Sequence, residues 1–385
     1  MSFQNCHNFN DFRRLAQRRL PVPLFHYIDG AADDEWTAKR NKQAFEKVAL
    51  IPNALADLSE LSLKTRLFGR DLSMPLFCSP TGMTRMFHPE GEYAVARAAA
   101  QAGTLYSLST LSSVSIENIG KLNQAPKMFQ IYIHKDRSLT QEFIERCKTA
   151  QFDALCLTVD TLVAGNRERD RRTGLIMPPH LTWQSLLSFA LHPRWAWNYL
   201  RGDKFELANV VDRIKTGSDK SSLISVMDYV NSQFDRSVVW HDAEAIIAQW
   251  GKPFAIKGIM SVADAKRAVA IGASAIMISN HGGRQLDGCA APFDMLPRIA
   301  DAVGGQIEII VDGGIRRGSH VLKALALGAN ACSMGRGYLF PLAAGGQAGV
   351  ERALTLLRQE IERDMILMGC ARLSELIPDK ILRLN

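Results

Sequence analysis

The 385-residue sequence predicts an α/β protein, a closed (β/α)8 barrel with an N-terminal helical cap and a long insertion after the fourth strand. Three observations lead there. From Met74 onward, short continuous apolar runs alternate with helical patterns, the rhythm of a parallel sheet buried under helices. The strand-like runs number eight, at 75–79, 105–109, 127–133, 154–160, 253–257, 275–281, 307–312 and 331–335. Each ends on hydrogen-bonding residues, and eight polar endings gathered in a ring imply a polar ligand above a TIM barrel, because buried polar groups are costly unless paired.

In chain order, residues 1–70 are expected to form the cap. A helix over 12–20 is stopped by Pro21 and Pro23, then come Leu24-Phe25-His26-Tyr27-Ile28-Asp29-Gly30 and a second helical stretch over 33–47. Helical patterns over 92–103, 139–150, 262–272 and 318–328 fill gaps between strands, several closed by glycine stops that resemble C-caps. A last amphipathic helix is expected over 350–368. The rhythm breaks once, between Asp160 and Pro253, where residues 165–240 form an insertion in a single βα loop. Insertions of that length are lids, binding segments or interaction surfaces. Residues 1–385 are expected as one domain, since barrels of this kind exceed the usual domain length.

The strand endings carry the chemistry. They read Pro80-Thr81-Gly82, Ser109-Thr110, Gln130-Ile131-Tyr132, Thr158-Val159-Asp160, Lys257-Gly258, Ser279-Asn280-His281, Asp312-Gly313-Gly314 and Gly335-Arg336. At the sixth, Gly282 and Gly283 separate His281 from Arg284 by a tight bend, so that a base and a fixed cation face one spot. Imidazole accepts a proton near neutral pH, and a guanidinium fork grips a carboxylate through two bonds. A small acid with a proton to lose beside its carboxylate fits both. At the seventh and eighth, the glycines let backbone N–H groups reach a phosphate while Arg316 and Arg336 add charge.

Composition narrows the field further. With 47% hydrophobic residues the chain can bury a large core, and its net charge of +7 and pI near 9.0 suit an anionic partner. The seven cysteines, at 6, 78, 147, 156, 289, 332 and 370, form no Cys-x-x-Cys pair, which argues for a reducing compartment and against disulfides or a metal site. The start lacks the basic and apolar segments of a signal peptide, and no uncharged apolar run approaches the ~18 residues of a membrane span. The expected location is cytoplasmic, with any membrane contact peripheral, on the cytoplasmic face of the inner membrane. Nucleic-acid binding is not expected, because the informative residues sit at strand ends and not on a basic, aromatic face. A phosphate-binding barrel isomerase would keep the glycine loops without needing Asp160, His281 and Arg284 together.

Ser-Asn-His-Gly-Gly-Arg-Gln-Leu-Asp, at 279–287, resembles the signature of the FMN-dependent L-2-hydroxy acid dehydrogenase and oxidase family, and the resemblance extends over nearly the whole chain. That family includes glycolate oxidase, quinone-linked L-lactate dehydrogenase and mandelate dehydrogenase. The resemblance implies oxidation of an L-2-hydroxy acid to the 2-oxo acid, with the electron pair passing to flavin. It places Pro80, Thr81, Gly82, Ser109, Gln130, Thr158, Lys257 and Ser279 around the FMN ring and ribityl chain. Asp312, Gly313, Gly314, Arg316, Gly335 and Arg336 fall around the ribityl and phosphate end. His281 becomes the base and Asp160 its orienting carboxylate. Arg284 and Tyr27 become carboxylate ligands, Tyr132 a partner of the substrate hydroxyl, and Arg167 a substrate contact from the insertion.

Two departures bear on the electron acceptor. Gly82 and Leu111 stand where glycolate oxidase has alanine and tryptophan, which argues for a quinone or other non-oxygen acceptor over an oxygen-using oxidase. L-Lactate is the expected substrate, because Phe25-His26-Tyr27 and 192–197 look most like the lactate enzymes. Asn166-Arg167-Glu168-Arg169-Asp170 is similar to mandelate dehydrogenase and keeps a larger hydroxy acid as the alternative. Trp183, Trp195 and Trp197, among Leu186, Leu187, Phe189 and Leu191 and flanked by Arg171, Arg172, Arg194 and Arg201, suit an interfacial segment on an anionic bilayer within 174–219. The resemblance also implies a homotetramer.

Overall fold

The computed structural model describes residues 2–175, 180–202, 205–210 and 235–384. Eight strands, β1 Leu76–Thr81, β2 Tyr106–Ser109, β3 Lys127–Ile131, β4 Ala154–Thr158, β5 Phe254–Ile259, β6 Ala275–Ser279, β7 Glu308–Asp312 and β8 Ala331–Met334, pair in sequence order and close between β8 and β1. Every neighbouring pair is parallel. The apolar runs are buried on both faces, with a period of two. Phe77, Met128, Cys156, Ala255, Met277 and Ile310 point into the barrel, while Leu76, Cys78, Phe129, Leu155, Ile276 and Ile309 join the core beneath the helices.

The lower end of the barrel is plugged. An antiparallel hairpin of Thr65–Leu67 and Arg70–Leu72 inserts Leu67, Phe68 and Leu72 into the interior cluster, and the Phe68 N–H donates to the Glu308 carboxylate at the start of β7. Burying side chains of this size contributes roughly 1.5–3 kcal/mol each. Among the described residues, the end left open to a ligand is therefore the one at the carboxyl ends of the strands.

Among the described residues the helices are α1 Phe9–Arg19, α2 Val22–Asp29, α3 Trp36–Gln43, α4 Gly91–Gln101, α5 Ile116–Leu122, α6 Arg137–Thr149, α7 Glu168–Thr173, α8 Trp183–Ala190, α9 Pro193–Arg201, α10 Trp240–Trp250, α11 Val262–Ala270, α12 Pro292–Val303, α13 Gly318–Ala326 and α14 Arg336–Met368. Two differ from expectation in ways that matter for the site. Pro21 and Pro23 do not merely end α1. They start α2, where proline's fixed φ suits the first turn, and α2 carries Tyr27. The last helix begins at Arg336, directly off β8, and absorbs its glycines in a kink at Gly345 and Gly346. The expected 33–47 helix stops at Gln43 and tightens into a 3-10 turn over Ala44–Lys47. Within the insertion, α7 leads to a helical hairpin, α8 and α9; residues 176–179, 203–204 and 211–234 of that expected segment lie outside the described residues.

Candidate active site

A cavity of about 530 Å³ opens over the carboxyl ends of the strands. At one end β7 turns through Gly313 and Gly314, with φ of 125° and 81°. A Cβ on Gly314 would sit 2.1 Å from the Asn41 carbonyl oxygen, so only glycine lets this loop press against the end of α3. Arg316 follows. Its Nη1 donates to the carbonyl of Ile315, its guanidinium lies 4.2 Å from the Phe9 ring, and its Nε is buried without a partner. Burial lowers its pKa to about 10. A buried cation held this way is costly until an anion arrives.

Further along the wall, Ser109 donates to the Oε1 of Gln130 at 3.0 Å, leaving the buried Nε2 of Gln130 without an acceptor, and Thr158 Oγ1 is likewise unpaired. Three polar atoms without a partner, on Arg316, Gln130 and Thr158, thus belong to residues that line one cavity. A ligand with a phosphate at one end and a ring bearing hydrogen-bonding edges at the other satisfies all three, and FMN has that chemistry.

Lys257 supplies fixed charge at the cavity floor. Its Nζ lies 3.2 Å from Asp312 Oδ2 and donates to Ser279 Oγ at 2.9 Å. Asp312 accepts from Ser79, Ser279 and Ser333 at 2.6, 2.7 and 2.8 Å. Burial opposes both charges, yet Lys257 and the three hydroxyl donors hold the Asp312 carboxyl below its ordinary value, and Asp312 and Asp160 hold the ammonium above its own. Ser279, expected beside the cofactor, stands in this network and not on the cavity wall. Pro80, Thr81, Gly82, Gly335 and Arg336 do line the cavity. A Cβ on Gly82 would lie 2.9 Å from both the Cβ and the carbonyl oxygen of Leu111, so these two residues fit as a pair.

His281 Nδ1 is 2.9 Å from Asp160 Oδ1. The ionised carboxylate takes the Nδ1 hydrogen, which leaves Nε2 as the basic atom. Burial works against the Asp160 charge, but His281 and Lys257 outweigh it and bring its pKa down to about 2, so Asp160 is an anion at any working pH. Two supports were not anticipated from sequence. Thr161 Oγ1 donates to Asp160 Oδ1 at 3.1 Å, and the Gln285 amide spans the gap between loops. Its Nε2 donates to the carbonyls of Asp160 and Val163, and its Oε1 accepts from Gly165 N. Thr161 directly follows Asp160 and Gln285 directly follows Arg284, which was the available signal. His281 itself has φ of 56°, a left-handed conformation costing about 1–2 kcal/mol outside glycine. A Cβ on Gly283 would lie 2.6 Å from Ala38 N, so α3 packs directly on the bend that returns Arg284 to the cavity.

Around Tyr27 the wall becomes cationic. The Arg284 and Arg167 guanidinium carbons lie 4.9 and 5.1 Å from the Tyr27 ring centroid, and Phe87 stacks on that ring at 6.1 Å. Arg284 Nη1 donates to the carbonyls of Tyr27 and Gly30; burial, and then Arg167, lower its pKa to about 10. Among the described residues no hydrogen bond engages its Nε or Nη2. Tyr132 is pushed up to about 12, by burial and by Asp160, and so keeps its phenolic proton. Arg336, expected at the phosphate end, already donates from Nε, Nη1 and Nη2 to the carbonyls of Ile28, Gly282 and Gly30. It straps the cap to the sixth loop.

Fold and cavity together define a (β/α)8 barrel whose pocket sets a histidine–carboxylate pair near the guanidinium groups of Arg167 and Arg284. Its family follows from comparison. Residues 16–383 match the model of the FMN-dependent dehydrogenase family, and the chain belongs to it. L-lactate dehydrogenase of Xanthomonas campestris pv. campestris (strain 8004) is 42% identical over 380 residues, covering 98% of this chain and 97% of that protein. L-lactate dehydrogenase of Pseudomonas aeruginosa (strain UCBPP-PA14) is 41% identical over 374 residues, 97% of each. Among solved structures, the monotopic membrane protein (S)-mandelate dehydrogenase superposes with a TM-score of 0.94 at 36% identity, covering 99% of this chain and 100% of that one. A mandelate oxidase variant gives 0.82 at 35%, covering 98% of each.

Proposed function

We propose that the protein oxidises an L-2-hydroxy acid, L-lactate first, to the 2-oxo acid and passes the electrons to a quinone. The observation that carries this reading is the Asp160–His281 pair opening onto the same cavity as the Arg284, Arg167 and Tyr27 cluster. The Nε and Nη2 edge of Arg284 grips the substrate carboxylate with help from Tyr27 and Arg167. Tyr132 donates to the substrate hydroxyl oxygen. His281 Nε2 takes a substrate proton, and Asp160 orients the ring and stabilises the imidazolium so formed.

FMN supplies the two-electron acceptor when bound. The Gly313-Gly314 loop and Arg316 hold its phosphate end, with Gly335 and Arg336 beside them. Pro80, Thr81, Gly82, Ser109, Gln130 and Thr158 would line its ring site, and Asp312 and Ser279 keep Lys257 charged at the cavity floor. A fixed ammonium there favours negative charge on the ring.

Quinone use is supported by Gly82 and Leu111 and by the helical hairpin. On α8, α9 and the turn between them, Trp183, Leu186, Leu187, Leu191, Trp197 and Leu200 are each at least half exposed, with Arg194 and Arg201 exposed among them. Among the described residues no helix is long and apolar enough to cross a membrane. An apolar face edged with arginines suits adsorption to an anionic leaflet, the cytoplasmic one, where a lipid quinone is available. The assembly we infer from the family is a tetramer. Replacing Trp183, Leu191 and Leu200 together by glutamate should lower partitioning onto anionic vesicles at least tenfold in sedimentation assays, with turnover on a soluble quinone unchanged. Equal partitioning of variant and parent would contradict the membrane role.

The likeness to (S)-mandelate dehydrogenase favours a second reading, a larger hydroxy acid in the same pocket. Anaerobic kcat/KM for L-lactate and L-mandelate with a soluble quinone decides between them, and the same assay with oxygen alone tests the acceptor. The account predicts higher kcat/KM for L-lactate and slow oxygen turnover. Turnover with oxygen as fast as with quinone would make the protein an oxidase.

A further inference from the structure

Among the described residues, three side-chain hydrogen bonds fasten the helical hairpin to the rest of the chain, and each lands on a different segment that carries a residue of the substrate pocket. Ser188 of α8 accepts a hydrogen bond from the N–H of Val22, the first residue of the helix that carries Tyr27, at 2.9 Å. Ser185, buried in the same helix, donates at 2.7 Å to the carbonyl of Thr173, the last residue of α7, whose N-cap is Arg167. Trp195 of α9 donates from its indole N–H at 2.9 Å to the carbonyl of Met86, at the end of the 3-10 turn Thr84–Met86 that presents Phe87. The last carbonyls of a short turn have no donor within it, so the indole meets a need the turn itself cannot. Trp195 is in turn packed against two rings, Phe189 tilted at 5.1 Å and Tyr199 stacked at 5.1 Å.

The three tethered segments converge on Tyr27: α2 carries it, Phe87 stacks on it and Arg167 lies over it. None of α8 or α9 itself lines the cavity. We propose that Trp195 is a positioning residue for substrate binding, which through Met86 sets Phe87 against Tyr27 and so fixes the wall that receives the substrate carboxylate. This rests on the assignment of Tyr27 to the carboxylate. Because the tether acts on the binding wall and not on the Asp160–His281 pair, its loss should appear in KM and leave kcat nearly alone.

The test uses full-length, FMN-loaded protein with a soluble quinone and compares Trp195→Phe, which keeps the aromatic stack but loses the donor, with Tyr27→Phe. Loss of one hydrogen bond of ordinary strength predicts a rise in KM for L-lactate of about fivefold. kcat should stay within about twofold and flavin content should be unchanged. Binding of oxalate, a substrate-sized carboxylate probe followed by perturbation of the flavin spectrum, should weaken in parallel. An unchanged KM in Trp195→Phe beside a raised KM in Tyr27→Phe overturns the inference and leaves the Tyr27 assignment standing. An unchanged KM in both removes that assignment as well. Loss of kcat, flavin and KM together in Trp195→Phe would reduce Trp195 to a general packing residue and would also overturn it.

Discussion

Replacing His281 by alanine is expected to lower kcat/KM by ~10²–10⁴-fold, the range attributed to a positioned general base. No other histidine lines the cavity, so nothing replaces it among the described residues. Asp160 cannot take over, since a carboxyl held down at about 2 is too weak a base near neutral pH. Alanine has two side effects that must be separated from lost chemistry. It takes over a left-handed position, and it leaves the buried Asp160 charge without its partner. His281→Asn is the cleaner companion, because asparagine tolerates that conformation and its amide can still donate to Asp160 while being unable to accept a proton. Steady-state kinetics on both, with flavin content as the check on folding, should give the same large loss. Near-normal turnover in either flavin-loaded variant would remove His281 from the chemistry.

Arg284→Lys is expected to raise KM for the hydroxy acid by roughly 10- to 100-fold. An ammonium cannot reproduce the two-pronged grip, and each charged hydrogen bond contributes about 1.5–3 kcal/mol. The geometry adds a second cost. Arg284 Nη1 holds the carbonyls of Tyr27 and Gly30, so a shorter reach loosens the cap just where Tyr27 stands. Arg167 remains within about the same distance of the Tyr27 ring and should preserve part of the affinity. The effect should therefore be smaller in the Lys variant than in Arg284→Leu, measured as KM and as oxalate affinity. An unchanged KM in both would take Arg284 out of the carboxylate site.

The barrel was legible because its strands are buried on both faces and end on polar residues, two features written into consecutive residues. Ala275–Ser279 followed by His281, Gly282, Gly283 and Arg284 needed no tertiary information to stand out. What escaped depends on register or on contacts distant in sequence. Ser333 looks like an ordinary strand serine until parallel pairing sets it opposite Asp312, with Ser279 on the other side. Only then does Ser279 read as part of the Lys257 network. The sequence places Arg336 as charge beside a phosphate and does not show its partners, the carbonyls of Ile28, Gly30 and Gly282, which come from segments far away in the chain. Pro21 and Pro23 follow a helical pattern and so look like its stop, although proline equally suits the first turn of the next helix.

In the proposed function one cavity joins FMN to a hydroxy-acid site worked by His281 and Arg284. The most direct measurement is the visible spectrum of the purified protein under anaerobic conditions, before and after L-lactate, with D-lactate and L-mandelate in parallel. A yellow protein bleached by L-lactate and left coloured by D-lactate is expected. A flavin that no L-2-hydroxy acid bleaches, or a protein that cannot be loaded with FMN, would contradict it.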